Sequence, residues 1–231
     1  MFPNAILIDA GGVLLDEGAY EVATARSIIR VLGNVSPGYG EKEYRQDLED
    51  SIAAFSPRNR RFVIWKHCGN DTALFDALWS EFKTEWKTEE PPLSLMDGID
   101  TELMNMSKEF ELVLAGQYGA ALVRLLEEHA LAGLFVNRLT QDDFEITKPD
   151  PRYLQRIAEA AGFSGPECIM IGDRIDKDVI PAKQNGMGTV FVRTGVYRNQ
   201  KPRTPDEIPD LTLTSVKGMA DAVIKKWKPQ S

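Results

Sequence analysis

Asp9 stands at the end of a short apolar segment, residues 5–8, and opens a glycine-rich turn that continues through Gly11 and Gly12. A carboxylate released from a buried strand into such a turn can attack phosphorus or carbon and form a covalent intermediate. The alternative is an ordinary turn or capping aspartate, and Asp9 taken alone leaves both interpretations open. The further groups described next favour the nucleophile.

Two more carboxylates follow another apolar segment, residues 168–171. Asp173 and Asp178 stand there in a Gly-Asp-x-x-x-x-Asp arrangement. Carboxylates collected at one point suit a hard divalent cation such as Mg²⁺, which takes oxygen ligands and keeps several waters. Asp176 lies close enough to compete with Asp178 for a supporting role. The favoured interpretation of Asp176 is an exposed N-cap of the following helix.

Lys148 is the basic residue whose surroundings set it apart. A lone lysine is usually a solvated surface charge. Here Pro149 and Pro151 stiffen the backbone, so that the Lys148 ammonium can be held in one direction. An ammonium near a phosphoryl group stabilises charge that grows in the transition state. Asp150 and Pro151 also predict a helix start, with aspartate as N-cap and proline in the first turn.

The candidate site residues are distant in the chain, so they can form one site only in a fold that brings the ends of several strands together. After Pro92, short apolar segments alternate with amphipathic helical patterns, which predicts a parallel sheet with helices on both faces. The predicted strands are residues 5–9, 111–115, 134–139, 168–171, 189–192 and 210–214, and the predicted helices are about 118–130, 151–161, 177–185 and 216–226. Ligands of such sheets lie outside the carboxyl ends of the strands. The residues expected there are Asp9, Ala115, Thr140 and Asp173.

Residues 17–92 differ in character, because they are helical in period and rich in aromatic side chains. Helices are predicted at about 20–32, 42–55, 58–65 and 71–86. The fold class is therefore α/β: a Rossmann-like, doubly wound parallel core from residues 1–16 and 93–231, with an inserted all-helical domain at 17–92. The basic cluster Arg58, Arg60 and Arg61 is predicted to be a solvated helix face, with an anion-binding loop as the alternative.

Four segments, residues 9–13, 114–117, 148–151 and 171–178, resemble in order and spacing the haloacid dehalogenase-like superfamily of hydrolases, and the resemblance covers essentially the whole chain. The helical block matches the position of that superfamily's type I cap. The resemblance implies that Asp9 is the nucleophile and that Lys148 holds its charge and the transferring group. It also implies that Asp9, the Gly11 carbonyl and Asp173 bind Mg²⁺, with support from Asp178.

The phosphate-binding residues that the resemblance implies are Ala10, Gly11 and Gly116, and here the chain departs twice from the superfamily pattern. Ala115 replaces a serine or threonine hydroxyl; the Gly116 N–H, the next helix N-terminus or the Gln117 amide could substitute. Gly11 stands where the superfamily's phosphatases carry an aspartate that protonates the leaving alkoxide and later activates water. Such acid–base help is typically worth about 10²–10⁴-fold, so poor leaving groups should suffer most.

The amino-acid composition argues against some classes of binding partner. With 35 acidic and 27 basic residues among 231, the net charge is −8, which argues against a general nucleic-acid binder. Two cysteines suggest no disulfide framework and a reducing cytoplasm. We expect no signal peptide and no membrane span, since no apolar run approaches about 20 residues. His67 and His129 lack a spacing typical of a metal site or triad.

The leading hypothesis is a cytoplasmic, Mg²⁺-dependent phosphatase that acts on a small phosphorylated metabolite through an aspartyl-phosphate. A catalytically silent protein that binds a phosphorylated ligand or a protein partner is the alternative, motivated by Gly11 and Ala115. A third hypothesis is a 2-haloacid dehalogenase. Dehalogenases of the superfamily also lack the second aspartate, but they do without the metal site that Asp173 and Asp178 predict. The sequence does not identify the substrate or the oligomeric state.

Overall fold

The computed structural model describes residues 2–116, 118–137 and 145–228. Gln117 and Thr140, which the sequence analysis placed near the site, lie outside the described residues. The chain divides into two compact units, one formed by Met1–Glu17 with Leu93–Ser231 and the other by Gly18–Pro92. The assignment of the second unit as a cap stays a prediction. Within the described ranges, no helix is both long and apolar enough to cross a membrane.

The first unit contains a parallel sheet whose strands follow the predicted segments. The described strands are β1 (Ala5–Ile8), β2 (Glu111–Leu114), β3 (Phe135–Asn137), β4 (Cys168–Gly172), β5 (Gly188–Val192) and β6 (Leu211–Leu213), arranged in the order β3-β2-β1-β4-β5-β6. This is the doubly wound order, in which the chain reverses its direction of travel across the sheet beside the first strand. β1 is central, and Ile8 at its end is in register with Leu114 and Ile171. The carboxyl ends of β1, β2 and β4 therefore meet.

Alternate residues of β1 pack on opposite faces of the sheet, as expected for a strand that is buried on both sides. Ile6 and Ile8 belong to one hydrophobic cluster, whereas Ala5 and Leu7 belong to another. Four helices of the second unit precede those of the first unit in the chain, so the latter are numbered α5 (Ile99–Met106), α6 (Gly119–Glu128), α7 (Pro151–Ala160), α8 (Ile180–Gln184) and α9 (Met219–Trp227). Helices α5, α6 and α9 cover the face of Ile6, and α7 and α8 cover the other face. The predicted α/β class is confirmed.

Two helical features of the first unit were not predicted. Helix α5 follows the turn at Gly98, and its side chain Glu102 accepts hydrogen bonds from the N–H groups of Gly218 (2.8 Å) and Ala220 (2.7 Å) at the start of α9. The predicted helix at 177–185 is a π-helix, Ile175–Val179, that continues into α8. Helix α7 begins as predicted, since the Asp150 carboxylate accepts the N–H of Arg152 at 2.9 Å.

The second unit is all-helical, with α1 (Gly18–Gly33), α2 (Glu41–Ala53), α3 (Asn59–Lys66) and α4 (Thr72–Glu89). Arg58 is exposed as predicted, but the prediction of a solvated face is wrong for Arg60 and Arg61. The Arg60 guanidinium lies 4.7 Å from the ring centroids of both Tyr20 and Trp86. Arg61 lies over aromatic rings of α4 in the same way. Charge spacing alone could not show that these arginines stack on aromatic faces, where cation–π attraction retains them.

A buried carboxylate, Asp47 of α2, links this helix to the end of α3 and to the segment that precedes α2. It accepts hydrogen bonds from the Tyr39 hydroxyl at 3.0 Å and from Lys66 Nζ at 2.6 Å, and it lies 2.7 Å from His67 Nε2. Burial raises the pKa of Asp47, but the hydrogen bonds from Lys66, His67 and Tyr39 outweigh burial and hold this pKa below its usual value. His67 thus has a structural partner that the sequence spacing did not reveal.

Candidate active site

Asp9 and Lys148 form a buried ion pair at the carboxyl end of β1. The backbone N–H of Asp9 donates to the Ile171 carbonyl at 2.9 Å, which fixes the turn against β4. Lys148 Nζ lies 2.5 Å from Asp9 Oδ1 and 2.7 Å from Asp178 Oδ1, and the lysine side chain is only 2% exposed. Because the ammonium is enclosed between two carboxylates, Lys148 is not a solvated surface charge.

Three carboxylates converge at this point. Asp9, Asp173 and Asp178 each offer an oxygen, and these oxygens lie within 4.8 Å of one another. Oδ2 of Asp173 is buried and accepts no hydrogen bond from any of the residues that the structure describes. An unpaired buried carboxylate oxygen is costly unless a cation binds it. An all-oxygen donor set with one such oxygen fits Mg²⁺.

Gly12 makes room for Asp173. Its φ is +67°, a left-handed conformation that favours glycine, and a methyl group at this position would lie 2.5 Å from Asp173 Oδ2. Close approach of the turn to the carboxylate therefore depends on the missing side chain. The sequence places glycine where both the conformation and the space require it.

Electrostatics in the cluster reflect both burial and crowding of like charge. Burial raises the pKa of Asp173 well above its usual value, and the neighbouring Asp9 and Asp178 raise it further. Burial also raises the pKa of Asp178, against the lowering effect of the Lys148 ammonium. For Lys148, burial alone would lower the pKa, but Asp178 and Asp9 more than offset it and keep the group charged. The three carboxylates carry more negative charge than one ammonium neutralises, as a cation site requires.

Asp176 does not belong to this cluster, and the prediction that it is an exposed N-cap is wrong. Its carboxylate is buried and accepts hydrogen bonds from Arg174 (2.6 Å from Nη2) and from Gln200 Nε2 (2.8 Å). Gln200 also accepts the backbone N–H of Ile175 at 2.6 Å. The segment forms a π-helix, and the Arg174 guanidinium, two residues away in the chain, pairs with Asp176 in the protein interior. Asp176 therefore helps to hold the π-helix that carries Asp178. Residue spacing alone could not predict this geometry.

The turn after β1 presents the backbone groups that the resemblance assigns to phosphate. The Ala10 carbonyl accepts the N–H groups of Leu14 and Leu15, whereas the amides of Ala10, Gly11 and Gly116 donate no hydrogen bond within the described ranges. Gly116 lies directly against Ala10, and a side chain at Gly116 would overlap it. Unused backbone donors gathered at strand ends suit an oxyanion. Their role in phosphate binding stays a prediction.

Ala115 offers no side-chain donor at this edge. It is buried, and its N–H donates to the Ile8 carbonyl at 2.9 Å. A different side chain reaches the site without having been singled out by the sequence analysis: the carboxylate of Glu17 lies over Gly11. Glu17 is six residues further along the chain, outside any of the four recognised segments, so no spacing signal pointed to it.

Comparisons with known proteins agree with this geometry. A family model described as HAD-hydrolase-like, that is, haloacid dehalogenase-like, matches residues 145–219, which include Lys148, Asp173 and Asp178. A glyceraldehyde 3-phosphate phosphatase of Methanopyrus kandleri is 23% identical over 95% of this chain and 97% of its own length. A phosphoglycolate phosphatase of Vibrio vulnificus is 30% identical over 43% of this chain and 42% of its own.

Among solved structures, the chain is similar to a HAD phosphatase from Thermococcus onnurineus. The TM-score is 0.59 at 19% sequence identity, and the match covers 95% of this chain and 97% of the other. At this identity the likeness concerns the fold. The family model matches residues 145–219, the fold is similar to that of a HAD phosphatase, and both agree with the convergence of Asp9, Lys148 and Asp173 at one end of the sheet.

Proposed function

We propose that this chain is a Mg²⁺-dependent phosphatase that hydrolyses a small phosphomonoester through an aspartyl-phosphate on Asp9. The observation that carries the proposal is the position of the Asp9 carboxylate, 2.5 Å from Lys148 Nζ and grouped with Asp173 and Asp178. A nucleophile, a fixed ammonium and a candidate cation site thus occur together. Positioning and electrostatic stabilisation are the main requirements of phosphoryl transfer.

Asp9 forms a bond to phosphorus while the bond from phosphorus to the leaving oxygen breaks. The Lys148 ammonium stays beside the phosphoryl oxygens as the carboxylate becomes a neutral acyl group. Backbone N–H groups of Ala10, Gly11 and Gly116 are proposed to donate to the phosphoryl oxygens. Mg²⁺, held by Asp9, the Gly11 carbonyl and Asp173 with support from Asp178, would neutralise phosphoryl charge. Water then attacks phosphorus, releases phosphate and restores the carboxylate.

The substrate class rests on the relatives. Proteins similar to this chain are named phosphatases of glyceraldehyde 3-phosphate and of phosphoglycolate, which are both small phosphomonoesters. The domain assignment, a core with a type I cap at residues 17–92, belongs to the same proposal. So does a cytoplasmic location, which the two free, buried cysteines support.

A Mg²⁺-dependent screen of small phosphorylated metabolites tests the proposal, with inorganic phosphate as the measured product. We expect at least one ester to be hydrolysed, and we expect activity to vanish in Asp9→Asn and with a chelator. Asp100→Asn removes an exposed carboxylate of α5 and is the matched control that should retain activity. Phosphate release that survives Asp9→Asn would overturn the mechanism.

The alternatives give different results in the same experiments. Binding of metal and phosphate without turnover of any ester would favour a catalytically silent binding protein, which Gly11 and Ala115 motivate. Metal-independent halide release from a 2-halo acid would favour a dehalogenase. The three-carboxylate group of Asp9, Asp173 and Asp178 supports the phosphatase over this last alternative.

A further inference from the structure

The Glu17 carboxylate occupies the space that a side chain at Gly11 would take. A β-carbon built on Gly11 would lie 2.8 Å from Glu17 Oε1 and 2.9 Å from Oε2. Gly11 is not among the glycines with positive φ, so the backbone itself does not require glycine here. The two positions are complementary: the absence of a side chain at residue 11 is what admits the carboxylate of residue 17.

A second contact holds this carboxylate in place. The Tyr118 hydroxyl, at the N-terminal end of α6, donates to Glu17 Oε1. Both side chains are half-buried, so the carboxylate is fixed from the side of β2 while it remains accessible to a ligand. The charge of Glu17 also contributes, after burial, Asp9 and Asp178, to the raised pKa of Asp173. Glu17 therefore lies within electrostatic range of the carboxylate cluster.

We propose that Glu17 is the general acid and base of this hydrolase, supplied from outside the turn in place of a carboxylate at Gly11. The inference rests on the proposed phosphatase function. In the first step the Glu17 carboxylic acid gives its proton to the leaving alkoxide oxygen as the bond from phosphorus to that oxygen breaks. In the second step the resulting carboxylate takes a proton from water as the water oxygen bonds to phosphorus, the bond from phosphorus to the Asp9 oxygen breaks, and phosphate and the free Asp9 carboxylate are released. One proton is lost and one regained per turnover.

This role makes a kinetic prediction that a merely structural residue does not make. A nitrophenolate leaves without needing a proton, whereas an alkoxide needs one. Glu17→Gln, which keeps the size and the hydrogen bond from Tyr118, should lower kcat/KM for an alkyl phosphate about 10²–10⁴-fold. With p-nitrophenyl phosphate the first step should proceed, and the second should slow. The variant should therefore release one nitrophenolate per active site in a burst, followed by slow turnover.

Two further variants complete the experiment. Asp16→Asn removes the exposed neighbouring carboxylate and should leave the rates of hydrolysis of both substrates unchanged. Glu17→Ala combined with Gly11→Asp vacates the space and moves a carboxylate into it from the turn. We expect this double variant to recover alkyl phosphate turnover at least tenfold over Glu17→Ala alone. Thermal melts of each variant check that folding is retained.

The inference is overturned if Glu17→Gln hydrolyses alkyl phosphates at the wild-type rate, or if it slows both substrates equally and shows no burst. In either event an active, Asp9-dependent wild type would leave the phosphatase proposal standing. A wild type that releases no phosphate from any ester would overturn the proposed function and this inference with it.

Discussion

Replacing Lys148 by methionine tests the electrostatic core of the site. The ammonium lies 2.5 Å from Asp9 and 2.7 Å from Asp178. At an effective dielectric constant of about 20, each such contact represents about 6–7 kcal/mol of direct attraction, and desolvation cancels much of it. Breaking a buried pair typically costs about 3–5 kcal/mol of folding stability, because the remaining charge is left uncompensated. We expect a loss in this range for the metal-free Lys148→Met protein, measured by urea denaturation.

Lys148→Met should also lower kcat, and this loss is measured separately from the loss of stability. Removing one preorganised stabiliser of transition-state charge typically lowers kcat about 10²–10³-fold, and we expect this loss for folded, Mg²⁺-loaded Lys148→Met. Lys217→Met is the matched control, since Lys217 pairs with Asp97 at an exposed site where ion pairs contribute less than about 1 kcal/mol. A Lys148→Met enzyme that keeps wild-type kcat and stability would refute the electrostatic role assigned to this lysine.

Three further predictions concern the metal site and the helical unit. Gly12→Ala places a methyl group 2.5 Å from Asp173 Oδ2 and should weaken Mg²⁺ affinity about 10–100-fold in calorimetric titrations; unchanged affinity would contradict the assigned geometry. Burial and its neighbours raise the pKa of Asp173, so the folded metal-free protein retains a proton that the unfolded chain loses, and its stability should fall as the pH rises through this folded-state pKa. Excess Mg²⁺ should remove that slope in denaturation curves, and a metal-free stability that rises over the same window would be inconsistent with it. Asp47→Asn removes charge from a buried acceptor of Tyr39 and Lys66 and should cost about 1–3 kcal/mol, whereas a change below about 0.5 kcal/mol would show that the cluster contributes little.

The position of the site could be predicted from the sequence because it depends on strand ends. Fully buried parallel strands are nearly continuous apolar segments, and each ends where polar residues begin. Asp9 and Asp173 are such residues, and the doubly wound order brings their strands together as neighbours. Lys148 is not at a strand end, and its place beside Asp9 was implied by the family resemblance, whereas its contact with Asp178 was not predicted.

The contacts that the sequence did not reveal join side chains that are distant in the chain or that lie on an irregular stretch of backbone. Asp176 was predicted to be exposed, yet a π-helix and the adjacent Arg174 draw it inward. Arg60 was predicted to be solvated, yet it stacks on rings brought together by tertiary packing. Glu17 had no signal of its own, because its relevance comes from the space left open at Gly11. Each of these contacts is decided by three-dimensional proximity, which charge type and spacing do not encode.

Trapping the phosphorylated enzyme tests the central claim, that Asp9 is the nucleophile, most directly. The Mg²⁺-loaded protein would be mixed with p-nitrophenyl phosphate, quenched in acid within the first turnover and digested for mass spectrometry. We predict the mass of one phosphoryl group on the peptide that contains Asp9, more of it in Glu17→Gln and none in Asp9→Asn. Phosphate release without any phosphoryl group on that peptide, or with the group on another residue, would contradict covalent catalysis by Asp9.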